Sequence, residues 1–148
     1  GQVVIAGHAA AVARACERAK ALGARRAMPL QVSAPFHCAL MQPAEDRLAP
    51  ALRALPAAAP RVPVVANVDA APKTDAESAI AALIAQVSRP VRWAEVMQQL
   101  VHAGARTFVE VGPGSVLTGL ARKQAREATC VTFESPEQLA AIEALGGS

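Results

Sequence analysis

The spacing of apolar residues along the chain predicts alternating strands and helices. Short apolar runs, typical of strands, occupy residues 2–6, 26–32, 64–68, 107–111 and 129–133. Apolar residues recur every three or four positions, as on one face of a helix, at residues 8–22, 39–55, 74–86, 93–103 and 115–126, with a last helix from residue 136. This alternation is typical of the α/β class.

Prolines and polar caps mark where some of these elements end. Pro50 lies inside the second predicted helix and removes a backbone donor, so we expect a kink there or an early end near Ala49. Residues 72–73 are expected to form a turn. Thr74 with Glu77 then fits a capping box for the next helix.

A histidine lies at the joint between the strand at 26–32 and the helix that begins at Ala39. Pro35 ends the strand, because proline fixes its own φ and restricts the residue before it. His37 thus lies at or just before a helix N-terminus, where unpaired amides and the helix dipole disfavour imidazolium. A neutral imidazole can act as a general base, and the alternative is that His37 is one polar residue of a loop.

The charge pattern leaves two interpretations open. The net charge is +3, and the basic residues form one cluster within residues 14–26 and another within residues 122–126. They are either a solvated surface or an attraction for an acidic partner. Nucleic-acid binding is not indicated, because no aromatic residues that could stack on bases are interleaved with these charges.

The cysteines and histidines indicate neither a disulfide framework nor a metal site. Cys16, Cys38 and Cys130 are widely spaced, which favours a reducing compartment. The three histidines lack the spacing of metal ligands, and Cys38 adjoins His37, so its side chain is expected to point elsewhere. With no signal peptide and no apolar run long enough to span a membrane, we expect a soluble cytoplasmic protein.

A glycine-rich turn follows the strand predicted at 107–111 and raises the question of phosphate binding. A dinucleotide fingerprint requires a third glycine where Leu117 stands. A P-loop requires lysine and a hydroxyl residue where Leu120 and Ala121 stand. Both patterns fail, so Gly112 and Gly114 are interpreted as residues that serve the backbone geometry of the turn.

Four motifs together resemble the malonyl-CoA:acyl carrier protein transacylases of bacterial fatty-acid synthesis, which are related to the acyltransferase domains of polyketide synthases. The motifs are VSAPFHCALM at 32–41, PVVANVD at 63–69, QVSRPVRW at 86–93 and VEVGPG at 109–114. They follow the order of the family and spread over nearly the whole chain. The family's nucleophilic serine lies in a Gly-His-Ser-x-Gly elbow, and no such motif occurs here.

The resemblance therefore implies the C-terminal half of such an enzyme, inactive by itself. Residues 1–32 would form the end of a ferredoxin-like small subdomain, as a strand, a helix and a strand. Residues 33–148 would form the C-terminal part of an α/β-hydrolase-like core. The missing N-terminal half would supply the serine and the arginine that binds the malonyl carboxylate.

The resemblance also implies the chemistry, a ping-pong transfer of malonyl from malonyl-CoA to the phosphopantetheine thiol of acyl carrier protein, without a metal or another cofactor. His37 matches the histidine that moves protons for the serine, and Gln86 matches the residue whose backbone carbonyl orients that histidine. Phe36 matches a position that distinguishes extender units, in the malonyl-preferring pattern. Asn67 lies in a motif but has no assigned role.

Two alternatives remain beside this interpretation. The chain could belong to the acyltransferase domain of a polyketide synthase, with which the Phe36–His37 pair is compatible. It could also be a non-catalytic module that keeps the fold in order to bind a carrier protein. Malonyl transfer, measured with the missing half restored, separates the enzyme from the binding module.

Overall fold

The computed structural model of the protein describes residues 2–146, a mixed arrangement of helices and short strands. Its first half contains α1 (Ala9–Ala21), α2 (Gln42–Arg53), β1 (Val64–Val65), β2 (Pro72–Lys73) and α3 (Ala76–Ala85). Its second half contains α4 (Trp93–His102), β3 (Thr107–Val111), α5 (Val116–Gln124), β4 (Thr129–Phe133) and α6 (Leu139–Gly146). Residue 1 and residues 147–148, the ends of the two predicted domains, lie outside the described residues.

The chain divides into two compact units, Gly1–Val91 and Arg92–Ser148. The division predicted after residue 32 follows the resemblance rather than the packing of this chain, and it stays a prediction.

Two of the predicted strands are wrong as strands. Residues 2–6 and 26–32 flank α1 as expected, but neither pairs with another segment among residues 2–146. A strand is defined by the ladder of hydrogen bonds to its neighbour, and an apolar run without a neighbour remains irregular backbone. Val3 and Leu30 accordingly leave 85% and 56% of their surface exposed.

The helix between these runs ends where the sequence indicated. Gly23 has a φ of +88°, its amide bonds to the Lys20 carbonyl, and the amide of Ala24 bonds to the Ala19 carbonyl. This pair of bonds is a Schellman motif, which requires a left-handed residue after the helix. Gly23 adopts that conformation without a steric cost.

Helix α2 passes through Pro50, so the early end expected near Ala49 is wrong. The helix continues to Arg53, and the amide of Ala54 still bonds to the Pro50 carbonyl at 3.1 Å. The proline removes one backbone donor, but Ala49 is buried and α2 packs against α3. Packing of the helix face therefore outweighs the loss of a single hydrogen bond.

The strand predicted at 64–68 is shorter than expected, and the expected turn at 72–73 is a strand. Val64–Val65 pairs antiparallel with Pro72–Lys73, and the chain reverses between them. The Asp69 carboxylate accepts the amide of Ala71 at 3.0 Å and the Lys73 ammonium at 2.6 Å. Because proline is tolerated at the first residue of a strand, Pro72 does not prevent this pairing.

The capping box predicted at Thr74 with Glu77 is wrong, because the helix begins one residue later than expected. Asp75 is the N-cap of α3, and its carboxylate accepts the amide of Ser78 at 2.8 Å. The Ser78 hydroxyl also donates to this carboxylate, and these bonds hold the pKa of Asp75 below its ordinary value. Gln86 is the C-cap of α3, as the sequence indicated.

The second unit is built on a parallel pair of strands at the predicted positions. Thr107–Val111 pairs residue for residue with Thr129–Phe133, and α5 connects them. A buried cluster of Met97, Ala121, Ala125 and Cys130 forms its core, with Trp93 and Phe108 packed against it. This β-α-β arrangement follows from two apolar runs joined by one amphipathic helix.

Glu110 fastens the turn between β3 and α5. Its carboxylate accepts the amides of Leu117 at 3.0 Å and Thr118 at 2.6 Å, in the first turn of the helix. The Thr118 side chain and these two amides hold the pKa of Glu110 below its ordinary value. Gly112 and Gly114 have φ of +127° and +90°, as expected for residues that serve the backbone of the turn.

Candidate active site

His37 has a backbone conformation that is uncommon for a residue with a side chain. Its φ is +60°. The Phe36 amide before it bonds to the Ala34 carbonyl, and the short 3-10 helix Ala39–Met41 after it leads into α2. The left-handed region costs an L-residue about 1–2 kcal/mol, although histidine tolerates it better than most. Such strain persists where the surrounding structure fixes it, and it often marks functional sites.

The contact that fixes the His37 ring joins its Nδ1 to the backbone carbonyl oxygen of Gln86 at 2.9 Å. A carbonyl oxygen can only accept a hydrogen bond, so Nδ1 carries the proton. In the neutral ring Nε2 then has a free lone pair and can accept a proton. His37 is an exposed residue.

The Gln86 carbonyl is available because of its place in the fold. Gln86 is the C-cap of α3, and the last carbonyls of a helix have no partner within the helix. The α3 end therefore presents an acceptor, and packing of α2 against α3 brings the His37 ring to it. The structure thus places His37 and Gln86 together, 49 residues apart in the sequence.

A buried polar pair that the sequence analysis did not identify lies two residues beyond Gln86. Ser88 is only 7% exposed, and its hydroxyl donates a hydrogen bond to the Glu45 carboxylate in the first half of α2. The Gln42 side-chain oxygen lies 3.4 Å from the same hydroxyl. The only signal in the sequence was the position of Ser88 inside the QVSRPVRW motif.

Phe36 and Asn67 are not joined to the His37–Gln86 pair by hydrogen bonds among the described residues. Phe36 directly precedes His37 and leaves 48% of its surface exposed. Asn67 is half-buried in the turn between β1 and β2. Among the described residues it makes no hydrogen bond to His37 or Gln86, so the structure assigns it no part in this site.

Cys38 does not pair with its neighbour His37. The Cys38 thiol donates to the Pro35 carbonyl at 3.2 Å, and Cys16, Cys38 and Cys130 are all free thiols. No cluster of three histidine, cysteine or acidic side chains suited to a metal ion occurs within residues 2–146. Over the same range, no helix combines the length and apolar character that crossing a membrane requires.

Comparison with known proteins places this geometry in a family. The sequence profile of the family described as "Acyl transferase domain" matches residues 1–141. The malonyl CoA-acyl carrier protein transacylase of Salmonella typhimurium is 48% identical over 141 residues, which is 95% of this chain and 46% of the relative. The chain therefore spans slightly less than half the length of such curated relatives.

Solved structures agree with this assignment. The acyl-carrier-protein-S-malonyltransferase of Bartonella henselae is 43% identical with a TM-score of 0.87, over 95% of this chain and 45% of that chain. A malonyl-transacylase solved in complex with a type II PKS acyl-carrier protein is 40% identical with a TM-score of 0.85, over 93% of this chain and 45% of that chain. The chain belongs to the acyl transferase domain family, and its curated relatives are malonyl CoA-acyl carrier protein transacylases.

Proposed function

We propose that this chain supplies the acid–base part of a malonyl-CoA:acyl carrier protein transacylase active site. His37 is the general base and acid, and the Gln86 carbonyl orients it. The observation that carries the proposal is the 2.9 Å hydrogen bond from Nδ1 of an exposed histidine to a helix-terminal carbonyl. That bond fixes the tautomer in which Nε2 is the proton acceptor.

The nucleophile in this proposal is a serine on a segment outside the given sequence. No Gly-x-Ser-x-Gly elbow occurs between residues 1 and 148, and the curated relatives are about twice as long as the matched region. His37 alone can move a proton but cannot hold an acyl group as an ester. We therefore expect transfer only from the protein that contains both parts.

The proton path follows from the position of Nε2. In the first half-reaction Nε2 takes the serine proton while the serine oxygen bonds to the malonyl carbonyl carbon. The carbon–sulfur bond to CoA then breaks, and imidazolium returns the proton to the departing thiolate. In the second half-reaction Nε2 deprotonates the phosphopantetheine thiol, and its sulfur bonds to the malonyl carbonyl carbon. The bond from that carbon to the serine oxygen breaks, and imidazolium returns the proton to the serine oxygen.

The Gln86 carbonyl takes the place that an aspartate holds in a Ser-His-Asp triad, and this suits a thiol leaving group. The Gln86 oxygen orients the ring but carries no net charge, so it stabilises imidazolium less than a carboxylate would. A thiol is expelled more easily than an amine, so less stabilisation is required. The reaction needs no metal or cofactor, and malonyl-CoA is a substrate.

The remaining parts of the proposal concern specificity and surroundings. We infer that Phe36 crowds the methyl branch of methylmalonyl and disfavours it by about 10- to 200-fold, the range for one methylene in a pocket. The basic residues within 14–26 favour an acidic carrier protein of fatty-acid synthesis as the partner. The free thiols are consistent with a cytoplasmic enzyme.

The proposal also includes the architecture of the whole protein. Residues 33–148 would complete an α/β-hydrolase-like core, which the parallel β3–β4 pair supports. Residues 1–32 would complete a ferredoxin-like subdomain. The exposed apolar side chains of residues 2–6 and 26–32 fit strands whose neighbours belong to another segment.

The test is malonyl transfer by the full-length protein that contains this chain, assayed with malonyl-CoA and holo carrier protein. His37→Ala should lower kcat by about 10²–10⁴-fold, the range for a lost general base. His102→Ala is the matched control, because His102 lies at the exposed end of α4, and it should leave kcat unchanged. Retention of the original rate by His37→Ala would refute the assigned role.

A further inference from the structure

We propose that Ser88 and Glu45 form a positioning pair that holds the Gln86 carbonyl in place for His37. The inference rests on the proposed function of His37 and goes beyond it, because neither residue touches the reacting atoms. Ser88 follows Gln86 by two residues, and its hydroxyl bonds to the Glu45 carboxylate on α2. Ser88 and Glu45 are therefore positioning residues rather than catalytic ones.

The pair helps to join the two segments that carry His37 and Gln86. The segment from His37 to Glu45 contacts the segment from Gln86 to Ser88 at two places, the His37 ring and the Ser88 hydroxyl, which also lies 3.4 Å from the Gln42 side-chain oxygen. One contact joins the His37 ring to the Gln86 carbonyl, and the other joins Glu45 to Ser88. Contacts at two places restrict the pivoting that a single hydrogen bond would permit.

The bond between Ser88 and Glu45 is strong and partly shielded from water. A hydroxyl bonded to a carboxylate is a charge-assisted hydrogen bond, stronger than one between neutral groups. Ser88 is 7% exposed and Glu45 is half-buried, so water competes little for the hydroxyl. Loss of either partner removes the charge-assisted bond and leaves the end of α3 less firmly held.

Proton transfer by His37 is sensitive to a shift of the α3 end. A misplacement of about 1 Å can lower a rate by about 100-fold. The substrate does not contact Ser88 or Glu45 in this proposal, so its binding is unaffected. Loss of the pair should therefore lower kcat about 10- to 100-fold and leave KM unchanged.

The experiment is a double-mutant cycle in the full-length protein. Ser88→Ala and Glu45→Leu should each lower kcat, and the double variant should be no worse than the poorer single variant, because both break one bond. Glu45→Gln keeps an oxygen acceptor and should retain most of kcat. Losses that multiply in the double variant would overturn the proposal.

A matched serine separates positioning from general stability. The Ser78 hydroxyl also bonds to a carboxylate, that of Asp75, but at the opposite end of α3. Ser78→Ala should lower the unfolding temperature and leave kcat unchanged. An equal loss of kcat in Ser78→Ala and Ser88→Ala would show that only helix stability matters, and would overturn the proposal.

A spectroscopic readout tests the pair independently of transfer. In protein labelled with ¹⁵N-histidine, the His37 Nδ1 resonance, assigned by its loss in His37→Ala, reports the bond to the Gln86 carbonyl. Ser88→Ala and Glu45→Leu should shift this resonance, whereas Ser78→Ala should not. An unchanged resonance in folded Ser88→Ala and Glu45→Leu proteins would overturn the positioning role.

The two proposals fail in different ways. If His37→Ala transfers malonyl at the original rate, the proposed function is wrong, and the His37 resonance still tests the pair. If transfer depends on His37 but Ser88→Ala changes neither kcat nor the resonance, only the positioning role is wrong.

Discussion

The turn at His37 and the turn between β3 and α5 both lead into a helix through left-handed backbone, but they use it differently. In the second turn the positive φ values fall on Gly112 and Gly114, where they carry no side-chain penalty. In the first turn the positive φ falls on His37, a residue with an imidazole. The first turn therefore carries strain that a glycine there would have avoided.

The two turns also differ in how their polar groups are satisfied. The Glu110 carboxylate uses both oxygens on the amides of the α5 N-terminus, so the turn is chemically closed. His37 uses only Nδ1, on the Gln86 carbonyl, and keeps Nε2 for a proton. The difference indicates that the second turn serves stability, whereas the first accepts a cost in stability and presents an imidazole at an exposed residue.

The largest expected effect is on the core that supports the second turn. Met97 is 2% exposed within the cluster that includes α5 and β4, so Met97→Ala should lower the free energy of unfolding by about 2–5 kcal/mol. Met28, 51% exposed in an unpaired run, is the control and should change it by less than about 0.5 kcal/mol. Urea denaturation measures both, and equal effects would contradict the assignment of this core.

The glycines of the second turn give the next largest effect. Gly114→Ala forces a side chain into a φ of +90° and should cost about 1–2 kcal/mol. Gly119 lies within α5 with open space around it, so Gly119→Ala should stabilise the protein by about 0.5–1 kcal/mol. Opposite signs in thermal or urea unfolding are expected, and the same sign would contradict the role assigned to Gly114.

Strain at His37 can be measured by substitution with two residues that differ in their tolerance of left-handed backbone. Asparagine visits this region routinely, whereas a β-branched residue with positive φ is a genuine outlier. His37→Val should therefore be less stable than His37→Asn by about 1–2 kcal/mol in urea denaturation. Both variants lose the ring, so equal stabilities would show that the backbone of this turn is unstrained.

The smallest effect is the pH dependence of the second turn. The folded-state pKa of Glu110 lies below its ordinary value of 4.5, so its contribution is complete above that value and is lost as the pH falls through the folded pKa. Glu110→Gln should destabilise the protein near neutral pH, with the difference shrinking in acid. A difference that is constant with pH would show that the carboxylate charge contributes nothing.

Local patterns predicted the second unit better than the first. Both β3 and β4 have the predicted bounds, because each is a short apolar run and the two pair across a single helix. The strand predicted at 64–68 is shortened by a turn whose hydrogen bonds involve Asp69. Hydropathy does not report such bonds. The runs at 2–6 and 26–32 have the composition of strands, but composition cannot supply a neighbouring strand.

The candidate site divides in a similar way. His37 was singled out by its position before a predicted helix, Gln86 and Phe36 were found through a resemblance, and the His37–Gln86 contact was expected from that resemblance. The positive φ of His37 and the Ser88–Glu45 bond were not expected. Both depend on how α2 and α3 pack, the two bonded residues lie 43 positions apart in the sequence, and no local pattern carries that information.

The sequence separation of the His37–Gln86 contact affects the order of folding. Strands β3 and β4 are joined by one short helix, whereas the His37 bond closes a loop of 49 residues. Closing a longer loop costs more chain entropy, so we expect the His37 contact to form later in folding than the β3–β4 pair. During refolding, the recovery of malonyl transfer should therefore lag behind the recovery of helical circular dichroism.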